Sequence, residues 1–292
     1  MVAVGGDSGT GKATFCEGLR AIFGEERCVE VRLDGYFALN RAQRNAVSIT
    51  ALDPRAHNFA AMDDDLRQLA HGRAIVKPVY DHLRGSTNGN ETIEPREIVL
   101  VQGLFPLYTW GLRSLFDVSV WMEPHAQLKT AWTIHRDTTE RAYRVEQVQA
   151  EIDRRRQDYE HYIAPQAQYA DIRASYAPHG VTFHKSSRLP PLDYADFASS
   201  ATHLRTVDDG SGPYPRTIIE VDADIDAATA EPIEDALFSR IDTPHTRMRP
   251  ASLGTYTDPT GKHVSHTLAL AQLLVARRIG LVAERLSEAV GV

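Results

Sequence analysis

Short apolar runs alternate with amphipathic stretches over the first 180 residues of the chain. The run 2–4 ends in two glycines and precedes apolar positions at helical spacing, which predicts a strand, a glycine-rich turn and a helix. Three further apolar runs of strand length lie at 28–33, 98–101 and 118–122. Amphipathic stretches at about 124–143 and 145–163 predict helices. Strands separated by helices predict a parallel sheet with right-handed crossovers.

The pattern changes after about residue 178. Two more strands are predicted, at 181–189 and 216–221, with polar, glycine- and proline-rich sequence around 205–215. Leucine and isoleucine at helical spacing predict a long helix over about 263–288. We therefore expect residues 1–178 to form an α/β core and residues 179–292 to form a C-terminal elaboration of the same unit.

Composition is typical of a globular protein with one large or two small domains. The 292 residues are 42% hydrophobic and 24% charged. The net charge of −7 argues against a general binder of nucleic acid or of anionic membranes, which would carry a basic surplus. Two cysteines cannot form a disulfide framework, and no apolar run approaches the ~20 residues that span a bilayer. We expect a cytoplasmic protein with neither nucleic-acid nor membrane partners.

The most specific motif is GDSGTGK at residues 6–12, between the first predicted strand and helix. In the pattern G-x-x-x-x-G-K, backbone N–H groups curl around an anion, the helix N-terminus adds partial positive charge, and Lys12 reaches the outer phosphates. The sequence thus predicts nucleotide phosphate binding. The predicted phosphate-binding residues of this loop are Gly6, Asp7, Ser8, Gly9, Thr10, Gly11, Lys12, Ala13 and Thr14.

Ala13 departs from that motif. The residue after the lysine is ordinarily Ser or Thr, whose hydroxyl ligates Mg²⁺. Thr14 is turned by about 100° along the helix and cannot simply take over this role. Any Mg²⁺ must be held by other groups, or held weakly.

Further short motifs are spread along the chain. They are LDGY at 33–36, ALDPR at 51–55, KPVYDH at 77–82, QGL at 102–104 and HRD at 135–137. Together they resemble the phosphoribulokinase and uridine kinase family, and within it most closely the plant and cyanobacterial type of phosphoribulokinase. The resemblance implies an α/β P-loop kinase fold with a mostly parallel, mixed sheet flanked by helices. It also implies ATP and Mg²⁺ as cofactors, phosphorylation of a sugar hydroxyl, and a homodimer.

The resemblance also implies roles for individual residues. Asp34 is similar to the family's catalytic base, although an ordinary strand-end aspartate in a turn would look the same. Asp137 matches a second family acid, for which an ion pair with Arg141 four residues later is the rival explanation. Lys12, Asp34 and Asp137 form the expected catalytic set, and the two acids are candidate Mg²⁺ ligands. Arg136 and Arg141 resemble the arginines that close over ATP phosphates, and solvated helix charges are the alternative.

A third group is expected on the acceptor side. It comprises Asp34, Phe37, Arg41, Arg55, Tyr80, His82 and Phe105. A buried Tyr80 and His82 that satisfy loop backbone would look identical to substrate-binding residues. His263 and His266 have no evident acidic partner in the sequence, and we expect a structural or surface role for them.

Five positions depart from the family in the active centre. Ala13 lacks the hydroxyl, Gln102 replaces a family Glu, Phe37 and Phe105 replace histidines, and Thr133 replaces a lysine. A less anionic, flatter acceptor would suit these changes, and a nucleoside-type metabolite is slightly preferred as the pentose-containing substrate. Ribulose 5-phosphate, which the overall resemblance suggests, and a nucleotide-binding pseudokinase with a regulatory role are the alternatives.

Overall fold

The computed structural model describes residues 1–185, 202–207, 216–241, 248–258 and 260–290. The strands, numbered in chain order, are β1 Val2–Gly5, β2 Cys28–Arg32, β3 Ile75–Asp81, β4 Ser86–Ile93, β5 Ile98–Gly103, β6 Val118–Met122, β7 Ile172–Ala177, β8 Gly180–Lys185, β9 Thr202–Val207, β10 Arg216–Asp222, β11 Thr255–Asp258 and β12 Gly261–Val264. The helices are α1 Lys12–Phe23, α2 Arg41–Ala46, α3 Phe59–Ala70, α4 Trp110–Arg113, α5 Ala126–Thr139, α6 Val145–Asp158, α7 Ala227–Ser239 and α8 His266–Val290.

Within the described ranges, eight strands form one sheet in the order β2-β5-β1-β6-β7-β8-β10-β9. The first five are parallel, and β8, β10 and β9 continue the sheet in antiparallel pairing. A short turn joins β7 to β8, and such a turn permits only antiparallel pairing, whereas helices connect the parallel strands. The predicted mostly parallel, mixed sheet is confirmed. The domain boundary at residue 178 lies in this turn and stays a prediction.

Helices cover both faces of the sheet. On one face α1, α7 and α8 pack against side chains such as Val4 and Leu100. On the other face α3 and α4 pack against Ala3 and Val101. Every residue of β5 and of β6 is buried, which explains why 98–101 is a continuous apolar run instead of an alternating one and why 118–122 is apolar except at Ser119.

Helix α8 packs against the buried side of α1, the helix that follows the glycine-rich loop, and fixes its position. Gln272 is 1% exposed; its Nε2 donates to the Thr14 carbonyl at 3.1 Å, and its Oε1 accepts from the Gly254 N–H at 2.9 Å. A Cβ at Gly18 would lie 2.0 Å from the Gln272 amide nitrogen, so a glycine permits this close approach. Among the described residues α8 is the one helix long and apolar enough to cross a membrane, but 61% of its apolar window is buried inside the fold. The expectation that no apolar segment approaches the length of a membrane span was therefore wrong for α8 by length and composition.

The structure differs from several expected boundaries. The second strand ends at Arg32, and residues 33–36 form a 3₁₀ turn. The helix expected over 145–163 ends at Asp158 and continues as a wider π turn over Tyr159–Ile163. The terminal helix begins at His266, because 261–264 pair as β12 with β11. Residues 186–189 of one expected strand and 208–215 of the expected loop lie outside the described residues.

Both C-terminal histidines have acidic partners, contrary to the sequence expectation. His263 Nε2 lies 2.8 Å from Asp258 Oδ1 across the β11–β12 hairpin. His266 Nδ1 lies 2.9 Å from Glu234 Oε1, a carboxylate that α7 carries into the core. Asp258 is only five residues from His263, but the hairpin that pairs them was not predicted, and Glu234 is 32 residues from His266.

Replacing Gln272 with leucine is expected to lower the free energy of unfolding by about 1–3 kcal/mol, because the buried Gly254 N–H loses its acceptor and the Thr14 carbonyl loses one of its donors. Urea unfolding measures this loss. Gln168→Leu is the matched control, since Gln168 is exposed and its side chain bonds only the Pro165 carbonyl within the described ranges; it should change stability by less than about 0.5 kcal/mol. Equal losses in the two variants would refute the bridging role of Gln272.

Candidate functional site

The glycine-rich loop leaves β1 and enters α1 in a conformation that side chains would block. Gly9 and Gly11 have φ of 77° and 82°, in the left-handed region. A Cβ on Gly9 would lie 2.1 Å from Thr133 Oγ1 on α5. Thr10 Oγ1 donates to the Asp7 carbonyl at 2.9 Å and closes the loop internally. The loop therefore has the compact anion-binding form that its sequence predicts.

Lys12 is folded back onto this loop. Its Nζ donates to the Gly6 and Asp7 carbonyls at 2.9 and 2.6 Å. Burial lowers the pKa of Lys12 to about 8, although the charges of Asp34 and Asp7 act in the opposite direction. Phosphate oxygens at the loop would restore the ammonium form and offer better acceptors than the two carbonyls.

One face of α5 lies against the glycine-rich loop, and the space between this face and residues 6–12 is called the loop mouth. Lys129 forms an ion pair with Asp7 and lies over the Tyr159 ring at 4.0 Å, and Arg136 Nη2 donates to Ser8 Oγ at 3.1 Å. Lys129 was not among the residues predicted for the site. Positions 129, 133 and 136 share one helix face, and this spacing is the signal that could have identified it.

Asp137 lies between the two predicted phosphate arginines. Its Oδ1 accepts from Arg136 Nε at 2.8 Å, and Arg141 Nη1 lies 3.3 Å from the same atom. The ion pair with Arg141, which was the rival explanation for Asp137, is therefore present, and Arg136 also links Asp137 to the loop through Ser8. With Arg136 also bonded to Ser8, the three side chains form a charge network at the loop mouth.

Asp34 lies in the 3₁₀ turn directly after β2, at the carboxyl edge of the sheet. Its Oδ2 lies 3.3 Å from His82 Nε2. Burial would raise the pKa of Asp34, but the hydrogen bond from His82 and the charges of His82 and Lys12 outweigh it and hold the pKa below its ordinary range. The carboxylate is therefore ionised at neutral pH, which a proton acceptor requires.

The other acceptor-side residues separate into two groups. Arg41 Nη2 donates to the His82 carbonyl at 2.5 Å, and Tyr80 and His82 are in edge contact at 5.0 Å, so both residues are linked to Asp34 through His82. Arg55 instead pairs with Asp53, and its side chain is 74% exposed. The structure therefore does not bring Arg55 into the cluster around Asp34.

Aromatic rings form a cluster beside the Asp34 turn. Phe37 is half-buried and contacts His57 and Tyr80 at ring-centroid distances of 4.4 and 4.8 Å. Phe105 is only 1% exposed and packs against His57 and Phe59 within the core. Phe37 can thus offer ring surface to a ligand, whereas Phe105 is buried and packs against the other rings of the cluster.

Arg44 is a second residue that the sequence analysis missed. Its guanidinium is stacked over the Phe37 ring at 4.3 Å and donates to the Leu39 carbonyl and to the Tyr80 hydroxyl. The residue is 6% exposed, and no carboxylate pairs with it in the part of the chain that the structure describes. A buried cation without an acidic partner is costly and favours a site for an anion.

The groups suited to Mg²⁺ are few. Ala13 offers no ligand atom, and the Gln102 amide donates to Glu30, which also pairs with Arg32 at 3.2 Å. A glutamate at position 102 would face Glu30 with like charge. The described residues contain no group of three or more metal-binding side chains. Asp34 and Asp137 fit an ion that arrives bound to phosphates, since Mg²⁺ ordinarily takes one or two carboxylates, phosphate oxygens and water.

A family model and the most similar curated proteins point to the same protein family. Residues 1–181 match a family model described as the phosphoribulokinase / uridine kinase family. The chain is 40% identical over 189 residues to phosphoribulokinase from Synechocystis sp., covering 65% of this chain and 57% of that protein. It is 35% identical over 195 residues to chloroplastic phosphoribulokinase from Mesembryanthemum crystallinum, covering 61% and 49%. The chain thus spans about half the length of these relatives.

Two further similarities are more distant. A uridine kinase from Lactobacillus helveticus is 27% identical over 178 residues, which cover 59% of this chain and 84% of that protein. The solved structure of phosphoribulokinase from Rhodobacter spheroides has a TM-score of 0.57 and 19% identity, covering 76% of this chain and 89% of that one. The structural likeness shows a shared fold.

Binding of ADP at pH 8 is expected to take up about half a proton, because phosphates return the pKa of Lys12 from about 8 toward its ordinary value. Uptake should fall toward zero at pH 6.5, where Lys12 is already charged in the free protein. Calorimetric titration in buffers of different ionisation enthalpy measures it. Lys12→Arg is the control, since arginine stays charged and should show no uptake from this position. A pH-independent proton balance in the original protein would contradict the assignment.

Proposed function

The chain belongs to the phosphoribulokinase and uridine kinase family, and from this premise we propose that it is an ATP-dependent kinase for a small-molecule alcohol. The γ-phosphoryl group would go to a hydroxyl of a pentose-containing acceptor. The placement of Asp34 is the observation that carries the proposal. This ionised carboxylate lies within the electrostatic field of Lys12 on one side and contacts His82 of the acceptor cluster on the other.

Different side chains would perform different parts of the reaction. The loop N–H groups and Lys12 would bind the β- and γ-phosphates, and Arg136 and Arg141 would stabilise the charge that moves during transfer. Asp34 would orient the acceptor hydroxyl and accept its proton as the oxygen attacks phosphorus. The bond from the γ-phosphorus to the bridging oxygen breaks, and ADP leaves.

Mg²⁺ bound to the nucleotide would supply additional neutralisation of phosphate charge. Asp34 and Asp137 are the residues that would hold it, because Ala13 and Gln102 cannot contribute a hydroxyl or a carboxylate. Asp137 must exchange part of its pairing with Arg136 and Arg141 for this role.

A nucleoside acceptor is supported by the aromatic cluster. The half-buried Phe37 ring and the adjacent Tyr80 ring provide a surface on which a base could stack. Phe105 weakens this argument, because its ring is enclosed by core residues.

A phosphorylated sugar such as ribulose 5-phosphate is supported by Arg44. Its buried guanidinium lies next to Phe37 and Tyr80 without an acidic partner among the described residues, and an anionic acceptor group would compensate its charge. The names of the relatives from Synechocystis sp. and Mesembryanthemum crystallinum are consistent with this acceptor.

Asp34→Asn is expected to lower kcat by about 10²- to 10⁴-fold, the range for loss of a general base, while ADP affinity stays within about threefold. A coupled ADP-release assay and calorimetric titration with ADP measure the two quantities. Asp63→Asn is the control, because Asp63 forms a surface ion pair with Arg67 on α3 and should retain full activity. Full activity of the Asp34 variant would exclude Asp34 as the base.

Acceptor choice is tested with Mg-ATP, ribulose 5-phosphate and a panel of nucleosides. We expect turnover on the order of 1–100 per second with a pentose-containing acceptor. Preference for ribulose 5-phosphate would exclude the nucleoside alternative, and preference for a nucleoside would exclude the sugar phosphate. Measurable ATP binding without ADP release for any acceptor would contradict the kinase proposal and favour a pseudokinase.

A further inference from the structure

His57 is a buried imidazole with one unpaired nitrogen. The residue follows the 3₁₀ turn Pro54–Ala56 and is 9% exposed. Its Nε2 lies 2.8 Å from the Ala51 carbonyl oxygen. Because a carbonyl oxygen can only accept, Nε2 carries the proton and donates it. Nδ1 is fully buried and has no hydrogen-bond partner among the described residues.

The surroundings of the ring keep Nδ1 an acceptor. Phe37 and Phe105 contact the imidazole at centroid distances of 4.4 and 4.6 Å, and Phe59 lies at 6.1 Å. Burial lowers the pKa of His57 to about 4, so the ring is neutral near pH 7. A neutral imidazole that donates from Nε2 presents a lone pair on Nδ1. These aromatic neighbours cannot supply the donor that the lone pair requires.

The position of His57 connects this lone pair to the proposed acceptor site. The backbone of His57 forms a β-bridge with Phe37, the residue directly after the turn that holds Asp34. The His57 ring also contacts the Phe37 ring at 4.4 Å, so the imidazole lies beside the segment that follows the Asp34 turn. The nearby Arg44 charge also lowers the pKa of His57 and so disfavours protonation of Nδ1.

We propose that the half-buried Phe37 ring moves aside when the acceptor binds, and that His57 Nδ1 then accepts a hydrogen bond from a second hydroxyl of the acceptor while Asp34 receives the attacking hydroxyl. The inference rests on the proposed kinase function and specifies its substrate further. The acceptor must present at least two hydroxyl groups from one polyhydroxylated pentose unit. Both candidate acceptors contain such a unit, so the inference does not depend on the choice between them.

A pair of substitutions separates this role from ring packing. His57→Phe keeps an aromatic ring but removes Nδ1, and it should weaken binding of the preferred acceptor at least about tenfold, with ADP affinity unchanged. His57→Asn places an amide oxygen near the Nδ1 position but removes the ring, and it should keep acceptor affinity within about threefold of the original protein. Calorimetry with ribulose 5-phosphate and with uridine, each in the presence of ADP, measures both. A purely structural ring would give the reverse order.

Nitrogen NMR of the unsubstituted protein tests the contact directly. In protein labelled with ¹⁵N-histidine, the Nδ1 resonance of His57 should move when ribulose 5-phosphate or uridine is added to the ADP complex. The resonances of His71, an exposed residue at the end of α3, serve as the internal reference. A His57 Nδ1 resonance that is unchanged by both compounds overturns the inference. Turnover with an unchanged resonance contradicts the inference alone, whereas a shifted resonance without turnover contradicts the kinase proposal alone.

Discussion

The burial of opposite charges at the mouth of the glycine-rich loop is the constraint on which the site depends. Lys12 loses much of its hydration there, and its ammonium is compensated by two backbone carbonyls and by the fields of Asp34 and Asp7. Asp137 compensates Arg136 and Arg141 in the same way. Without a ligand, the cations that would bind phosphates are thus neutralised by the acids that would serve in transfer. Phosphate oxygens can take over these cations and release Asp34 and Asp137 for the metal and the acceptor.

The fold brings these groups together because the strand order places β1 between β5 and β6. The loop leaves the carboxyl end of β1, and Asp34 follows the carboxyl end of β2, at the same edge of the sheet. Helix α5 then covers the loop with Thr133 close above Gly9. Gln272 of α8 fixes α1 from the opposite side. The C-terminal helix therefore contributes to the position of the loop although it lies outside the part of the chain that matches the family model.

Much of this arrangement could be predicted from the sequence, because the relevant signals are local. The loop spacing identified the β1–α1 turn, and apolar runs of strand length identified β5 and β6. The family resemblance, which the family match confirms, pointed to Asp34. Helix α3 was missed although Met62, Leu66 and Leu69 recur at helical spacing. The pairing of Lys129 with Asp7 and the stacking of Arg44 on Phe37 depend on how separate elements pack, and the orphan nitrogen of His57 depends on the same packing. Spacing along α5 could place Lys129 on the same face as Arg136, but no spacing rule within one element could identify the partners in these contacts.

The charge exchange at the loop mouth is tested most directly by a crystal structure of the protein with a non-hydrolysable ATP analogue and Mg²⁺. The account predicts that Lys12 Nζ leaves the Gly6 and Asp7 carbonyls for the phosphate oxygens, and that Arg136 and Arg141 turn from Asp137 toward the γ-phosphate. Asp34 should stay at the acceptor side, within reach of an attacking hydroxyl. A nucleotide bound elsewhere, with Lys12 still on the two carbonyls and both arginines still on Asp137, would contradict it.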